Sequence, residues 1–232
     1  ESLCPGVDFN RHPKNLSWQE AEKIVDAIQK IKWIAPESNV LVPIGEKQIT
    51  KSLKSILKHD EQKVIERSPK VFRGGVPFAV EVGIAYGGQS GVVMGDGTAR
   101  KAEVMRFANR VPLLFDAGNC AITQAVKEID WNRYQLKDWE NQPLSIFVNF
   151  TSVHVPYTGA GKLAISAEEE IVSEIKLALM EAARSVSSYI NSMRHAAEQE
   201  YRKSVFLRYG GEVSECLADI TGEKEETSRK KL

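Results

Sequence analysis

Residues 144–155 read Leu-Ser-Ile-Phe-Val-Asn-Phe-Thr-Ser-Val-His-Val, and this stretch decides the fold class. Apolar and polar side chains alternate along it, which is the pattern of a β-strand. A tight turn follows from Pro156 to Lys162, and a helical pattern begins near Ser166. A strong strand that leads through a turn into a long helix predicts a mixed fold of the α+β class.

Upstream of this strand the chain predicts a further group of short elements. Phe78 to Tyr86 is an apolar run bounded by glycines, which is typical of a strand. The glycine-rich segment from Gly87 to Gly97 predicts a flexible hairpin loop. The remaining elements are two strands, Glu103 to Phe107 and Val111 to Phe115, and a short helix, Cys120 to Ile129.

The N-terminal part of the chain predicts helices. Ser17 followed by Glu20 forms a capping box for a helix that ends before Pro36. A second helix is expected from Glu46 to about Lys58, with an inward face made by Ile49, Leu53, Ile56 and Leu57. Its other side carries Lys47, Lys51, Lys54 and Lys58, which form either a solvated face or a strip that faces phosphates.

The last predicted helix is very long. It runs without proline or glycine from Ser166 to about Val205, roughly 60 Å at 1.5 Å per residue. Its expected apolar face consists of Ile171, Ile175, Ala178, Ala182, Val186, Tyr189, Met193 and Ala196. A helix of this length outruns a domain of this size, so we expect it to project as a stalk. Gly210 and Gly211 are expected to break it before a short final helix.

Composition excludes several protein classes. The 232 residues are 42% hydrophobic and 27% charged, as in ordinary globular proteins. No apolar run reaches the roughly 18 residues that a membrane span needs. The 31 basic and 31 acidic side chains cancel, so a nucleic acid would have to be bound through a local patch.

Cysteine usage and the first residue indicate the setting of the chain. Cys4, Cys120 and Cys216 are widely spaced, which predicts neither a disulfide framework nor a thiolate zinc site and suits a reducing compartment. The chain begins at Glu1 rather than methionine, and no targeting pattern follows. We therefore expect a fragment of a longer intracellular protein.

One turn carries a candidate binding site, whereas no catalytic constellation and no metal site is predicted. The sequence Thr158-Gly159-Ala160-Gly161-Lys162 places two glycines, which permit tight turns, beside a lysine point charge. It is not a Walker P-loop, because Pro156 stands where that motif has glycine and Leu163 where it has Ser or Thr. Lys162 is therefore either an anion ligand or an ordinary turn lysine.

A second candidate is the segment Asp130-Trp131-Asn132-Arg133-Tyr134. Trp131, Arg133 and Tyr134 on one exposed turn would stack on a sugar and clamp a phosphate. In the alternative interpretation, Trp131 and Tyr134 fold back onto the edge of the sheet.

Several sequence blocks together resemble a known family. They are PFAVEVGIAYGG (77–88), MRFANRVPLL (105–114), DWNRY (130–134), VPYTGAGKLAI (155–165) and IKLALMEAAR (175–184), with an upstream segment from Leu41 to Glu46. Their order and spacing are similar to those of the B subunit of DNA topoisomerase VI, a type IIB topoisomerase of the GHKL superfamily. The resemblance covers the chain from about Leu16 to Gly222.

The resemblance implies a domain organisation. Residues 1–68 correspond to the end of a helix–two-turns–helix domain and its connection. Residues 69–165 correspond to a GHKL-type transducer, a ribosomal-protein-like sheet backed by helices. Residues 166–222 correspond to the projecting stalk helix and a short C-terminal helix, and residues 223–232 form a charged tail. The family's N-terminal ATPase domain, which carries the Mg²⁺ ligand and the adenine pocket, is expected outside this chain.

The resemblance also implies a function. Lys162 matches the family's switch lysine, which reaches the γ-phosphate of ATP, with Gly159 and Gly161 in its loop. Trp131, Arg133 and Tyr134 match a W-K-x-Y element that contacts DNA, although Asn132 replaces its lysine and removes one cation. Implied partners are double-stranded DNA, the A subunit at the stalk and a second B subunit in an A2B2 enzyme that relaxes or decatenates DNA. The implied cofactors are ATP and Mg²⁺, and this chain alone is expected to be inactive. The implied location is archaeal cytoplasm, or the nucleus if the source is eukaryotic.

A different class of function remains as an alternative. The chain would then be a non-catalytic adaptor, similar to the B-like scaffold relatives, that binds nucleic acid or a partner helix. The intact Gly-Ala-Gly-Lys turn favours the nucleotide-coupled function, because a scaffold needs no phosphate sensor.

Overall fold

The computed structural model describes residues 4–30, 37–73, 75–95, 97 and 100–221. Its fold divides into two compact units, Glu1–Glu37 and Ser38–Leu232. Helix α1 (Trp18–Lys30) lies in the first unit. The second unit contains, in chain order, α2 (Glu46–Leu57), β1 (Glu61–Glu66), β2 (Lys70–Phe72), β3 (Val76–Tyr86), β4 (Val92–Val93), β5 (Arg100–Lys101), β6 (Glu103–Ala108), β7 (Val111–Pro112), α3 (Ala121–Lys127), β8 (Leu144–Ser152) and α4 (Glu169–Thr221).

The first unit contains the predicted capping box. The Ser17 amide donates to Glu20 Oε2 at 2.8 Å, and the Glu20 amide donates to Ser17 Oγ at 3.3 Å. The bonds from Ser17 and the Arg11 guanidinium lower the pKa of Glu20 to about 2. The predicted start of α1 is thereby confirmed, whereas its predicted end before Pro36 lies outside the described residues.

A six-stranded sheet forms the centre of the second unit. Its order is β1-β3-β8-β6-β7, and β2 pairs with the other end of β3. The β6–β8 pair is parallel, and the other pairs are antiparallel. The strand expected at 144–155 ends at Ser152 and is buried at every position. Helices cover both of its faces, so the polar positions of the alternating pattern are buried as well.

Helix α2 covers one face of the sheet. Ile49, Leu53 and Leu57 pack there against Phe147. Gly83 permits this approach, because a Cβ at that position would lie 2.8 Å from Leu53 Cδ1. The prediction that Ile56 points inward is wrong, since its side chain is 72% exposed. The buried stripe runs through Ile49, Leu53 and Leu57, which are about 40° apart around the helix, and Ile56 lies outside it, about 100° from Leu57.

The N-terminus of α2 is capped by the sheet. Its N-cap residue, Gly45, has a φ of 94° and no capping side chain. Instead, the buried Glu81 carboxylate accepts the Ile44 amide at 3.0 Å and the Gly45 amide at 2.6 Å. Asn149 Nδ2 donates to the same carboxylate at 2.7 Å. One carboxylate of β3 therefore fixes where the chain enters α2.

Helices α3 and α4 cover the other face. The large core there combines Val80, Val82, Ile146 and Val148 of the central strands with apolar side chains of both helices. The first half of α4 is tied to the sheet edge as well, because Arg67 Nε donates to Glu174 at 2.7 Å and Arg73 pairs with Glu168. The beginning of α4 and the sheet thus form one packed body.

Helix α4 differs from its prediction at both ends. It begins at Glu169 rather than Ser166 and continues through Gly210 and Gly211 to Thr221, a total of 53 residues. The expected break is wrong, because helical glycine costs only about 1 kcal/mol relative to alanine and does not block the helix sterically. The predicted face is buried from Ile171 to Val186, but Met193 and Ala196 are exposed. The predicted tail at 223–232 lies outside the described residues.

The structure also moves a domain boundary and refines two loops. The segment assigned to residues 1–68 contributes α2 and β1 to the sheet unit, and the fold divides at Glu37 instead.

The loop from Gly87 to Gly97 contains β4, which pairs with β5 as a small hairpin. The strand expected at Val111 to Phe115 stops at Pro112. In the described part of the chain, no helix has an apolar stretch long enough to cross a bilayer.

Replacing Glu81 tests the sheet-borne cap. We expect Glu81→Ala to lower the free energy of unfolding by about 3 kcal/mol, because the Ile44, Gly45 and Asn149 donors lose a buried acceptor. Glu66 lies opposite Glu81 in the β1–β3 register but is exposed, so Glu66→Ala should cost no more than about 0.5 kcal/mol. Urea unfolding followed by circular dichroism measures both, and equal losses would contradict the assigned role.

Candidate functional site

The turn that carries Lys162 is a closed loop between β8 and α4. A bridge between Tyr157 and Ile165 closes its base, and the Thr158 amide donates to the Ala164 carbonyl at 3.0 Å. Burial raises the pKa of the Tyr157 hydroxyl. The Lys162 side chain is exposed, and within the described residues its ammonium has no ion-pair partner.

The backbone strain of this turn lies on the lysine. Lys162 adopts a left-handed φ of 53°, whereas Gly159 and Gly161 have no positive φ. A Cβ at Gly159 would meet nothing within 4 Å, so the turn does not need a glycine there. The expectation that the glycines supply the special conformation is therefore corrected. A non-glycine residue in this conformation costs about 1 kcal/mol. Seven other described non-glycine residues also have a positive φ, so this conformation alone does not mark a functional site.

A second loop faces the Lys162 turn across a cleft of about 460 Å³. The cleft is lined by Asp116, Asn119, Thr158, Gly159, Gly161, Lys162 and Leu163. The Ala121 amide donates to the Ile165 carbonyl at 2.9 Å, which joins the start of α3 to the end of the Lys162 turn. This bond brings two segments that are distant in sequence to one site.

A buried arginine holds the second loop in place. Arg106 of β6 is 6% exposed, and its Nη2 donates to the Leu113 carbonyl at 2.8 Å and the Phe115 carbonyl at 3.1 Å. These bonds end β7 and orient the residues that lead to Asp116. Arg106, Asp116 and Asn119 were not predicted as site residues. Only the Asp-x-x-Asn spacing of 116–119 could have signalled a turn, because Asn119 Nδ2 donates to Asp116 Oδ1 at 2.9 Å.

The structure places the second candidate segment elsewhere. Trp131 is 3% exposed, its Nε1 donates to the Val126 carbonyl at 2.9 Å, and its ring packs against Trp139 with centroids 5.7 Å apart. Tyr134 is half-buried against the same core. The fold-back interpretation thus describes Trp131 and Tyr134, and the stacking role predicted for Trp131 is not available to a core side chain.

Arg133 is the accessible member of that segment. Its side chain is 80% exposed and its Nε lies 3.4 Å from Asp130 Oδ2. The turn is anchored to α4, because Arg194 Nη1 donates to Gln135 Oε1 at 2.9 Å. None of Trp131, Arg133 and Tyr134 lines the Lys162 cleft, so the structure shows two separate candidate sites.

The lysines of α2 form a third exposed surface. Its exposure fits both a solvated face and a strip that faces phosphates.

Comparison with known proteins identifies the family. The sequence model described as "Topoisomerase VI B subunit, transducer" matches residues 36–202. The chain belongs to this family. The transducer match begins close to Ser38, where the second structural unit begins, rather than at residue 69.

Archaeal relatives extend the match to almost the whole transducer chain. The B subunit of type 2 DNA topoisomerase 6 from Methanothermobacter thermautotrophicus is 48% identical over 227 residues, 98% of this chain and 43% of the relative. The corresponding protein of Pyrococcus furiosus is 48% identical over 218 residues, 94% of this chain and 37% of the relative. The chain thus spans about two fifths of the length of these relatives. The resemblance found in the sequence is confirmed.

Comparison with solved structures finds a weak likeness. The B subunit of DNA gyrase from Myxococcus xanthus matches 60% of this chain and 40% of its own chain at 16% identity, with a TM-score of 0.39. A likeness of that size assigns neither fold nor function to the transducer.

Two substitutions separate core from surface in the 131–134 turn of the transducer. Trp131→Ala is expected to cost about 3–5 kcal/mol of stability, because it empties a buried aromatic site and leaves the Val126 carbonyl without its donor. Arg133→Ala should change stability by less than about 0.5 kcal/mol, because its pair with Asp130 is exposed. Guanidinium unfolding measures both. Similar losses would contradict the assignment of Trp131 to the core.

Proposed function

We propose that this chain is the transducer portion of a topoisomerase VI B subunit, in which Lys162 couples ATP binding and hydrolysis to DNA cleavage and passage by an A subunit. Membership in the transducer family and the exposed, unpaired Lys162 support this proposal. ATP and Mg²⁺ are the proposed cofactors, with the adenine and Mg²⁺ ligands supplied by residues outside this chain. The chain alone is then inactive, and it acts within an A2B2 enzyme.

The chemistry of Lys162 suits a phosphate sensor. Its ammonium is a compact, mobile point charge that binds a terminal phosphate strongly and loses its partner when that phosphate leaves. Gly159 and Gly161 line the same cleft without side chains, so an anion has access to the backbone there. Two states with different binding energy at Lys162 are what a nucleotide switch requires.

The connection of the turn to α4 supports the transmission of this signal. The Ser166 amide donates to the Pro156 carbonyl at 2.6 Å, and α4 begins shortly afterwards at Glu169. Buried residues from Ile171 to Val186 fix the first half of α4 to the sheet. A force on Lys162 therefore moves the sheet and the helix as one body, and the far end of α4 is displaced most.

The far half of α4 supports a protein partner. The side chains from Ser192 to Ser204 are exposed, and large apolar side chains follow at Phe206, Leu207 and Tyr209. At 1.5 Å per residue, the helix extends about 45 Å beyond Ser192. Apolar residues exposed on a long helix are typical of a docking surface, here proposed for the A subunit.

The exposed Arg133 supports a DNA contact of the same enzyme. Arg194 of α4 donates to Gln135, which follows Arg133 by two residues, so a second guanidinium group contacts the same turn. Arginines bind phosphates of a duplex without reading its sequence. In this proposal, Trp131 and Tyr134 position the turn, and Arg133 makes the contact.

A lysine exchange tests the switch in the complete B subunit assembled with its A subunit. Lys162→Ala should reduce ATP-dependent relaxation of supercoiled DNA at least about ten-fold, because loss of one charged phosphate contact weakens the ATP-bound state. Lys70→Ala is the matched control, since Lys70 is also exposed but lies on β2 and does not line the Lys162 cleft. Unchanged relaxation by Lys162→Ala would refute the switch role. Absence of ATP-dependent relaxation by the wild-type complex would favour the adaptor alternative.

A salt titration tests the DNA contact. Arg133→Ala should weaken duplex binding by this chain and reduce the slope of log K against log salt by about 0.9, the value of one phosphate contact. Arg202→Ala is the matched control, because the Arg202 side chain is 81% exposed and also pairs with a nearby acidic residue. Fluorescence anisotropy with a short duplex gives both slopes, and equal behaviour of the two variants would contradict the contact.

A further inference from the structure

The Lys162 cleft carries opposite charges on its two walls. Lys162 is exposed on the turn after β8, and Asp116 is exposed on the loop before α3. Both residues adopt left-handed backbone conformations, with φ values of 53° and 51°. Within the described residues, neither charge has an ion-pair partner elsewhere. Two opposite, unpaired charges thus share one cleft of about 460 Å³.

The Asp116 wall is held in a fixed place. On the N-terminal side of Asp116, the Arg106 guanidinium donates hydrogen bonds to the Leu113 and Phe115 carbonyls. On its C-terminal side, the Ala121 amide donates to the Ile165 carbonyl. Asn119 Nδ2 donates a hydrogen bond to Asp116 Oδ1, and Asp116 Oδ2 has no hydrogen bond among the described residues. The Lys162 side chain is long and flexible, so its ammonium can move to form an ion pair with the fixed Asp116 carboxylate.

A second copy of this turn shows that the surroundings of Asp116 distinguish it. Asp138 has a φ of 50°, and Asn141 Nδ2 donates to its Oδ2 at 2.9 Å. The same Asp-x-x-Asn turn therefore occurs twice in the chain. Asp138 does not line the Lys162 cleft, so of these two aspartates Asp116 is the one that shares a cleft with Lys162.

We infer that Asp116 is the resting partner of Lys162 and competes with the terminal phosphate for its ammonium. The inference depends on the proposed phosphate role of Lys162 and specifies how that site is regulated. A phosphate carries more negative charge than one carboxylate and displaces Asp116 when it enters. When the phosphate leaves, Lys162 returns to Asp116, so the sensor has a defined second state.

The test is a double-mutant cycle with an anion as probe. Inorganic tripolyphosphate is titrated into the ¹⁵N-labelled chain, and the amide shifts of Gly159 and Gly161 report binding. Asp116→Asn should tighten binding about two- to five-fold, the range expected when an exposed competing pair is removed. Asparagine tolerates left-handed conformations, so the turn should be retained. Asp138→Asn, the matched control, should leave the affinity unchanged.

The Lys162→Ala background distinguishes competition from simple charge repulsion. Asp116 repels the anion directly in both backgrounds, so competition predicts a gain at least about two-fold larger when Lys162 is present. An equal gain in both backgrounds, no gain, or an equal gain from Asp138→Asn would overturn the Asp116 inference and leave the phosphate role standing. If Lys162→Ala binds tripolyphosphate as tightly as the wild type, the phosphate role itself fails.

Discussion

Burial of β8 on both faces is the constraint on which the rest of the structure depends. A strand without a solvent face needs a layer of helix on each side, and α2 supplies one layer while α3 and α4 supply the other. The parallel pairing of β6 with β8 requires a crossover, and the chain uses it to place α3. The same crossover leads the loop at 113–119 to the end of the sheet where the Lys162 turn leaves β8.

The Lys162 cleft follows from that arrangement through a few buried polar contacts. The bond from the Ala121 amide to the Ile165 carbonyl joins its two walls, and Arg106 fixes the wall that carries Asp116. On the opposite face of the sheet, Glu81 fixes the start of α2 by accepting the Gly45 amide. Each of these groups is buried and bonded to backbone, which makes the sheet and the first half of α4 a rigid support for the proposed switch.

Sequence patterns predicted elements better than boundaries. The strand at 78–86, the capping box at Ser17 and the long C-terminal helix were all found, because each depends on local periodicity or on contacts within one turn. The break at Gly210 was wrong because a propensity of about 1 kcal/mol does not by itself end a helix. The boundary near residue 69 missed β1, because membership of a sheet depends on a partner strand distant in sequence.

The sequence by itself determined the family, the α+β class and Lys162 as the principal candidate, because these depend on residue identity and spacing along the chain. Only the tertiary structure decided that Trp131 belongs to the core while Arg133 is accessible, since both occupy one turn and differ only in what lies beside them. It also decided that Asp116 shares a cleft with Lys162. Long-range hydrogen bonds and two-sided burial make that juxtaposition, and neither leaves a periodic signal in the sequence.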